Sequence, residues 1–373
     1  MRTLVTMLAL AAAAWGQRHP AGDIVAEKPE GALLMQAINE TDAARKAALL
    51  DQFCEKYPKA DNVAWALETL QGLYVKGGQS EKIIATGEKL LAIDKEDPES
   101  ALQNLKAAEA LKDLPGIRKW GALASANARK MASAPQPSDA AAVESWKADV
   151  SYAQQVDVYT EYALFRVAVE SRDPKATIEF GEALEAQNPK SQYLAQTTGS
   201  LFNAYRQSGA NEKAVALAER VLATDQSNED MLMVVADNYA AQHKNPEKVH
   251  TYTEKTVQVL AQKPAPAGLS ESDWSKRKDQ LTGLAHYLDG KLYYTEKKYV
   301  EADRELRGAL PLAETNPAMK PEVLFMLGDA NYNLKKAQDA ADYFKACAAL
   351  PGPMQATAAK NLQGIKSQYT NIK

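Results

Sequence analysis

The sequence predicts an all-α protein built as an α-solenoid, an array of stacked helical hairpins. A helical pattern of apolar and small residues returns along the chain at an interval of about 34 residues. Alanine is frequent and aromatic residues make up only 7%, which suits closely packed helices better than a sheet rich in β-branched residues. A chain of 373 residues is also too long for one ordinary core, unless it is a barrel or a repeat array.

The stretch VLFMLGDANYNLKKAQDAADYF, residues 323–344, predicts two antiparallel helices, each with one packed face. The face residues are Leu324, Leu327, Gly328 and Asn331 in the first helix, and Ala340, Phe344 and Cys347 in the second. Gly328 and Ala340 are small where the helices would cross closely, and Phe344 fills the space beside them. So short a hairpin cannot bury its apolar stripe alone, so neighbouring hairpins must stack on it.

The same spacing returns upstream in the chain. Tyr205 and Tyr239, each late in a predicted first helix, are separated by one such interval. Further matches are Ile83 with Ile117 and Gly87 with Gly121 at the same interval, and Gly290 with Gly328 at a slightly longer one. Gly78 and Gly209 stand where a first helix must end and turn, a place that favours left-handed backbone.

These features resemble the tetratricopeptide repeat family, a 34-residue helix-turn-helix with small residues at the crossing, an aromatic residue late in the first helix and a proline near the end. The resemblance covers most of residues 30–352 in about seven units, and several units lack the leading Trp or the final Pro. It implies a right-handed superhelix of stacked hairpins that binds other proteins. The binding surface in this family is usually the concave face made by the first helices.

Two loops rich in Pro and Ala divide the predicted array, at residues 133–141 and 263–272. Each loop is followed by a tryptophan, Trp146 or Trp274, and then by a first helix that begins early. The predicted division is a signal peptide at 1–16, N-terminal repeats at 17–132, central repeats at 142–262, C-terminal repeats at 273–352 and a capping helix at 353–373.

The first residues, MRTLVTMLALAAAAWGQ, predict a secretory signal peptide. Arg2 precedes an apolar run, and small residues lead to a cleavage site after Gly16. The run is too short for a stable anchor, although an uncleaved anchor is the alternative. Nothing later in the sequence is apolar enough to span a membrane. We therefore expect a periplasmic or secreted protein.

Charge argues against a nucleic-acid or anionic-lipid partner. Removing Arg2 with the signal takes the 44 basic residues to 43, against 48 acidic ones, a net charge of −5. A mildly acidic chain with no long Lys/Arg run lacks the electrostatic footprint of such binding. The expected partner is a protein or peptide, with no integral membrane span.

No arrangement of residues indicates catalysis, a cofactor or a metal. There is no phosphate-binding glycine loop after a strand and no G-x-S-x-G elbow. The histidines are interpreted as surface residues without the acidic or Cys partners of a metal site; they are His19, His243, His250 and His286. Of the two cysteines, Cys347 falls in a slot filled elsewhere by small apolar residues and is expected to be a buried free thiol, whereas the redox state of Cys54 stays open.

Partner-binding candidates lie on the first helices of the C-terminal repeats, pointing away from the packed face. They are Tyr287, Lys291, Tyr294, Phe325, Asp329 and Tyr332. Aromatic rings beside a Lys and an Asp suit a peptide groove, although the rings would also suit packing between repeats. A second candidate surface lies around Trp65 and Glu68. The carboxylate clamp used by some repeats of this family is not expected, because Gly199 and Val234 stand where a clamp Lys and Asn would be needed beside Asn203.

The leading functional hypothesis is an exported, non-enzymatic scaffold that binds a protein or peptide in the cell envelope. Residues 49–61 and 188–193 resemble the helix ends of outer-membrane assembly repeat proteins, although the lipidation Cys of their anchored branch is missing. One alternative is therefore a non-catalytic subunit of an envelope enzyme or of an outer-membrane assembly complex. Another is a structural spacer without a specific ligand.

The signal peptide generates the first testable prediction. Cell fractionation should recover the protein outside the cytoplasm, and N-terminal sequencing should begin at or near Gln17, because a signal peptidase would remove the apolar run. Recovery of an intact Met1 from the cytosol would contradict this interpretation.

Overall fold

A computed structural model describes residues 18–369 of the chain. The predicted signal peptide and residues 370–373 of the predicted capping helix lie outside the described residues. Seventeen α-helices and one short 3₁₀ helix account for the regular structure of the described part, which contains no strand. The predicted all-α class is confirmed. Among these helices, none combines the length and apolar character needed to cross a bilayer.

The described residues divide into two compact units, with the boundary inside α9, after Ala204. The helices up to this boundary are α1 (Pro29–Asn39), α2 (Ala43–Lys56), α3 (Val63–Lys76), α4 (Ser80–Ile93), α5 (Pro98–Leu111), α6 (Leu114–Ala132), α7 (Val143–Glu170), α8 (Pro174–Gln187) and α9 (Leu194–Gln207). The 3₁₀ helix, Ala140–Ala142, precedes α7 directly.

The second unit begins at Tyr205. Its remaining helices are α10 (Asn211–Leu222), α11 (Glu229–Ala241), α12 (Pro246–Gln262), α13 (Glu271–Thr295), α14 (Tyr299–Thr315), α15 (Lys320–Asn333), α16 (Ala337–Ala348) and α17 (Gln355–Gln368). The C-terminal helix α17 packs against α16 and buries Ala358 and Ile365.

Sequential packing builds the hairpins within each unit. From α1 to α8, and again from α10 to α17, every helix packs against the next one along the chain. Odd-numbered helices also touch the next odd-numbered helix: α3 with α5 and α5 with α7 in the first unit, and α11 with α13 and α13 with α15 in the second. Stacked hairpins therefore share one layer of first helices, the arrangement that the sequence predicts.

Glycine lets paired helices cross closely, as the sequence pattern indicates. A Cβ atom on Gly328 would lie 2.8 Å from the ring of Phe344, and one on Gly290 would lie 2.8 Å from Leu306 Cγ. Phe344 and Leu306 are both fully buried. Each large side chain thus packs directly on the backbone of the facing helix.

Five turns between paired helices share one backbone geometry. The predicted left-handed glycines, Gly78 and Gly209, have φ of +63° and +70°. Lys112, Lys297 and Lys335 adopt the same conformation at equivalent turns, with φ of +56° to +63°. In each turn the following N–H donates to the carbonyl five residues back, the bond that closes a Schellman motif. At these turns the backbone adopts the left-handed position even where the sequence supplies lysine.

The two Pro/Ala loops are each held by the tryptophan that follows them. Trp146 Nε1 donates to the carbonyl of Ala134 at 2.9 Å, and Trp274 Nε1 donates to that of Lys263 at 3.1 Å. The helices that carry these rings, α7 and α13, have 28 and 25 residues and are the two longest in the described chain. The indole hydrogen bond thus ties each loop to the extra N-terminal length of its long helix.

A buried amide pair in the first unit explains Gly87. Gln71 Nε2 on α3 donates to Asn104 Oδ1 on α5 at 3.0 Å, and both residues are buried. A Cβ on Gly87, in the intervening helix α4, would overlap both amide groups. Its repeat equivalent, Gly121, is different, because a Cβ there would find only Leu105 Cδ1, at an ordinary 3.8 Å.

This contrast generates the second prediction. Gly87→Ala should lower the free energy of unfolding by about 1–3 kcal/mol, because it disrupts a buried hydrogen bond and overpacks the crossing. The matched control Gly121→Ala should be neutral or stabilising by up to about 1 kcal/mol, because alanine favours helix. Urea denaturation of both variants measures the difference. Equal effects at the two positions would contradict the packing described for α4.

Candidate functional site

The six predicted binding residues fall on two adjacent helices of the second unit. Tyr287, Lys291 and Tyr294 lie on α13, and Phe325, Asp329 and Tyr332 lie on α15. Each trio is spaced i, i+4, i+7, so its members share a helical face. Because α13 and α15 are in contact, the structure brings the two trios together.

Hydrogen bonds link these two faces, and we call these bonds the rungs between α13 and α15. Tyr294 Oη donates to Asp329 Oδ2 at 2.9 Å, and Tyr287 Oη donates to Glu322 Oε2 at 2.6 Å. Lys291 Nζ forms an ion pair with Glu322 Oε1 at 2.8 Å. Glu322 is a site residue that sequence reasoning missed. The available signal was the spacing, since each tyrosine precedes its carboxylate by 35 residues, close to one repeat.

The rungs alter the ionisation of their members. Burial acts to raise the pKa of Glu322, but hydrogen bonds from Lys291 and Tyr287 outweigh it, so the pKa is lowered. The pKa of Lys291 is raised, chiefly by its hydrogen bond to Glu322. The pair therefore stabilises the folded chain at neutral pH, and this contribution is lost as pH falls through the lowered pKa of Glu322.

The aromatic rings of the site are half-buried and take part in packing. Tyr287 and Tyr294 pack against the buried cluster around Leu327. Phe325 contacts Phe344 edge-on with ring centroids 5.6 Å apart, and Tyr332 Oη donates to Gln368 Oε1 on α17 at 3.1 Å. The rings thus join neighbouring repeats and also show one edge at the surface.

A groove of about 560 Å³ opens beside Tyr287 and Lys291. It is lined by Asp237, Tyr239, Ala240, Ala241, His243, Lys244, Pro246, Val249, Tyr287, Leu288, Lys291, Leu292, Thr295 and Glu296. We call this the α11–α13 groove. Leu288, Leu292 and Val249 give it apolar walls, while exposed Lys244 and Asp237 bring charges of both signs to its rim. The sequence did not predict the lining residues that α11 contributes, because no pattern in it shows that the C-terminal end of α11 lies at the groove.

The second candidate surface is not open. Trp65 is only 8% exposed and belongs to the hydrophobic core of the first unit. Both carboxylate oxygens of Glu68 accept hydrogen bonds from the backbone N–H groups of Arg18 and His19. Residues from the beginning of the described chain therefore already lie on this surface.

The predicted surface location is confirmed for His243, whereas the other three histidines are partly buried and each contacts a carboxylate. His250 Nδ1 hydrogen-bonds Asp289, and its ring stacks on Tyr293 with centroids 3.9 Å apart. His286 Nδ1 lies 2.7 Å from Glu305 Oε2, and His19 contacts two carboxylates. Only His243 is exposed.

The acidic partners come from other helices, which is why sequence spacing did not show them. His250 and His286 also line a polar cavity of about 370 Å³ with Asp289, Arg304 and Glu305. Within residues 18–369, no three His, Cys, Asp or Glu side chains are grouped so as to hold a metal ion.

Both cysteines are free and buried, which confirms the expectation for Cys347. Burial, together with the nearby charge of Asp51, raises the pKa of Cys54 to about 12. A thiol that stays protonated at neutral pH is a poor nucleophile. Neither residue therefore adds chemistry to the site.

Comparison with solved structures finds helical repeat proteins. The P58(IPK) TPR domain is 11% identical over 91% of this chain and 99% of its own, with a TM-score of 0.29. Yeast Tom70 is 12% identical over 92% and 85%, with a TM-score of 0.26. TTC0263, a thermophilic TPR protein of Thermus thermophilus, is 16% identical over 55% and 98%, with a TM-score of 0.25. No protein-family model matches the sequence, and no curated protein does. At these TM-scores the likeness carries no argument, so the hairpin architecture rests on the packing described above.

The rung between Tyr294 and Asp329 is the basis of the third prediction. Tyr294→Phe and Asp329→Ala should each destabilise the chain, and the double variant should reveal a coupling of about 1 kcal/mol, because the two side chains share one hydrogen bond. Urea denaturation of the four chains gives this coupling. A parallel cycle with Tyr332→Phe and Asp329→Ala is the control and should be nearly additive, since Tyr332 bonds Gln368 instead. Coupling near zero in the Tyr294 cycle would contradict the rung.

Proposed function

We propose that this protein is a non-enzymatic, tetratricopeptide-type scaffold that binds a protein or peptide segment in the α11–α13 groove. The observation that carries the proposal is the coincidence of a groove of about 560 Å³ with Tyr287 and Lys291, two residues chosen from sequence alone. Concave sites with apolar walls and a few polar groups are the usual places for ligands. Half-buried tyrosines are favoured anchors at interfaces.

The groove favours a ligand with apolar side chains over a strongly charged one. Lys291 is neutralised by Glu322, and Glu296 forms an ion pair with Lys298 at 2.8 Å. Lys244 and Asp237 on the rim have opposite charges. A segment with one or two large apolar residues and mixed flanking charges fits these walls best.

The cell envelope is the proposed location. Its support is the signal-like sequence of residues 1–16, with Arg2, an apolar run and small residues before Gly16. In this setting the partner would be another envelope protein. An enzyme or outer-membrane assembly complex that recruits this chain as a non-catalytic subunit would occupy the same groove, whereas a spacer would leave it empty.

A differential pull-down tests the proposed function. Wild-type protein, Leu292→Asp in the groove and Val300→Asp as control serve as baits for envelope extract, with mass spectrometry of the captured proteins. Val300 is 65% exposed and does not line the groove, so its variant carries the same change of charge. We expect a protein that wild type and Val300→Asp capture and Leu292→Asp loses, while circular dichroism shows that all three baits fold.

If the three baits capture the same proteins in equal amounts, the binding surface lies outside the α11–α13 groove. If none of them captures a protein, the result favours a structural spacer without a specific ligand.

Once a partner is known, Tyr294→Ala and Tyr332→Ala should each weaken its binding by about 1 kcal/mol or more if these rings are anchors. Unchanged affinity in both variants would limit the site to the α11–α13 groove.

A further inference from the structure

The segment at the beginning of the described chain, residues 18–24, lies against α3 and α4 of the first unit as irregular backbone, with a bend at Arg18–His19 and a left-handed Gly22 at φ +64°. We call it the N-terminal arm. Its backbone N–H groups at Arg18 and His19 donate to Glu68 Oε1 and Oε2, each at 3.0 Å. One carboxylate on α3 thus receives two successive main-chain donors, which requires the bend found at Arg18–His19, because successive N–H groups of an extended chain point in opposite directions.

Asn62 hydrogen-bonds backbone carbonyl groups of the same arm. Its Nδ2 donates to the carbonyl of Ala21, with a longer contact of 3.5 Å to that of Asp23. Asn62 occupies the N-cap position of α3, where Asn side chains usually bond the helix backbone, yet it makes no such capping bond. Its amide is directed to the arm instead of to its own helix.

The side chains of the arm add charge recognition. Arg18 Nε lies 2.6 Å from Asp94 Oδ2 at the C-cap of α4. The ring of His19 lies between two carboxylates, with Nδ1 3.0 Å from Glu68 Oε2 and Nε2 3.2 Å from Asp94 Oδ2. Both ring nitrogens thus face carboxylate oxygens, which only accept hydrogen bonds. The side chain of His19 is only 14% exposed.

We propose that Asn62, Glu68 and Asp94 form a binding site for a basic peptide segment, and that the chain's own Arg18–His19 segment occupies this site in cis. The site is separate from the α11–α13 groove and selects a different ligand. Its carboxylates select an Arg-His or similar basic pair, while Glu68 and Asn62 hold the main chain on either side.

Because the arm belongs to the same chain as the site, an external ligand must compete with it for binding. A short tether gives the arm a high effective concentration at its site, so a free basic peptide competes poorly with it. Ala21 and Ile24 of the arm pack against the core of the first unit, whereas Arg18 and His19 are held by partly exposed charge pairs, which salt screens. A partner that presents a basic segment and adds contacts of its own would displace the Arg18–His19 end and dock on α3 and α4.

The test uses the full chain and an acetylated, fluorescein-labelled peptide with the sequence of residues 18–24, RHPAGDI. Arg18→Glu/His19→Glu releases the arm by charge repulsion from Glu68 and Asp94. Fluorescence anisotropy should show that this arm-released variant binds the peptide about tenfold or more tightly than wild type, with affinity falling at high salt. Adding Glu68→Gln/Asp94→Asn should abolish binding. The matched control adds Glu144→Gln/Asp149→Asn, the same change of charge at exposed positions on α7, and should leave binding intact.

Hydrogen exchange by mass spectrometry on the peptic fragment that contains the arm checks its release independently. In wild type the amides of Arg18 and His19 should exchange slowly, and in the arm-released variant they should exchange about tenfold or more faster. Three results would overturn the proposal: slow exchange despite the charge reversal, a released arm with no gain in peptide binding, or peptide binding that survives Glu68→Gln/Asp94→Asn.

Discussion

Close crossing of paired helices at small residues is the contact on which the rest of the structure depends. A ring or branched side chain lies directly on a glycine of the facing helix, as Phe344 does on Gly328 and Leu306 on Gly290. The two helices of a hairpin therefore lie close together and leave one apolar face uncovered. The hairpin can bury this face only against the next hairpin. Stacking then sets the first helices side by side, and α13 meets α15 along the faces that carry the tyrosine rungs.

Local patterns of sequence were enough to predict the helical hairpins, the crossing glycines and the left-handed turns at Gly78 and Gly209. These features depend on residues close in the chain, and glycine signals them directly. The same turn at Lys335 could not be predicted, because lysine carries no preference for positive φ. There the hairpin imposes the backbone geometry on whichever residue is present.

The contacts among the candidate site residues could be predicted only in part. Helical spacing placed Tyr294 and Asp329 on faces of two first helices, but their hydrogen bond depends on the register between two repeats. The acidic partners of His250 and His19 lie 39 and 49 residues away along the chain. The contacts around Glu68 could not be predicted either, because the irregular backbone of the arm has no periodicity. Contacts that cross from one repeat to another require the three-dimensional packing.

The two proposed binding sites belong to one repeated scaffold. In the second unit, the α11–α13 groove offers apolar walls and charges that are largely neutralised within the protein. In the first unit, Glu68 and Asn62 contact main-chain groups of the N-terminal arm, and Asp94 contacts the side chain of Arg18. The helices that supply these groups, α3 in one unit and α13 in the other, both belong to the layer of first helices. The difference arises from a few side chains on an otherwise similar architecture.

Hydrogen exchange of the Gly328→Leu variant tests the central claim, that each hairpin depends on a close crossing and on its neighbours. Overpacking against Phe344 should cost about 1–3 kcal/mol. Amides of α15 to α17 should therefore lose protection first, those of α13 and α14 less, and those of α1 to α6 not at all. The control Gly364→Leu, where a Cβ meets nothing within 4 Å, should exchange like wild type. Unchanged exchange in Gly328→Leu, or an equal loss of protection along the whole chain, would contradict this account.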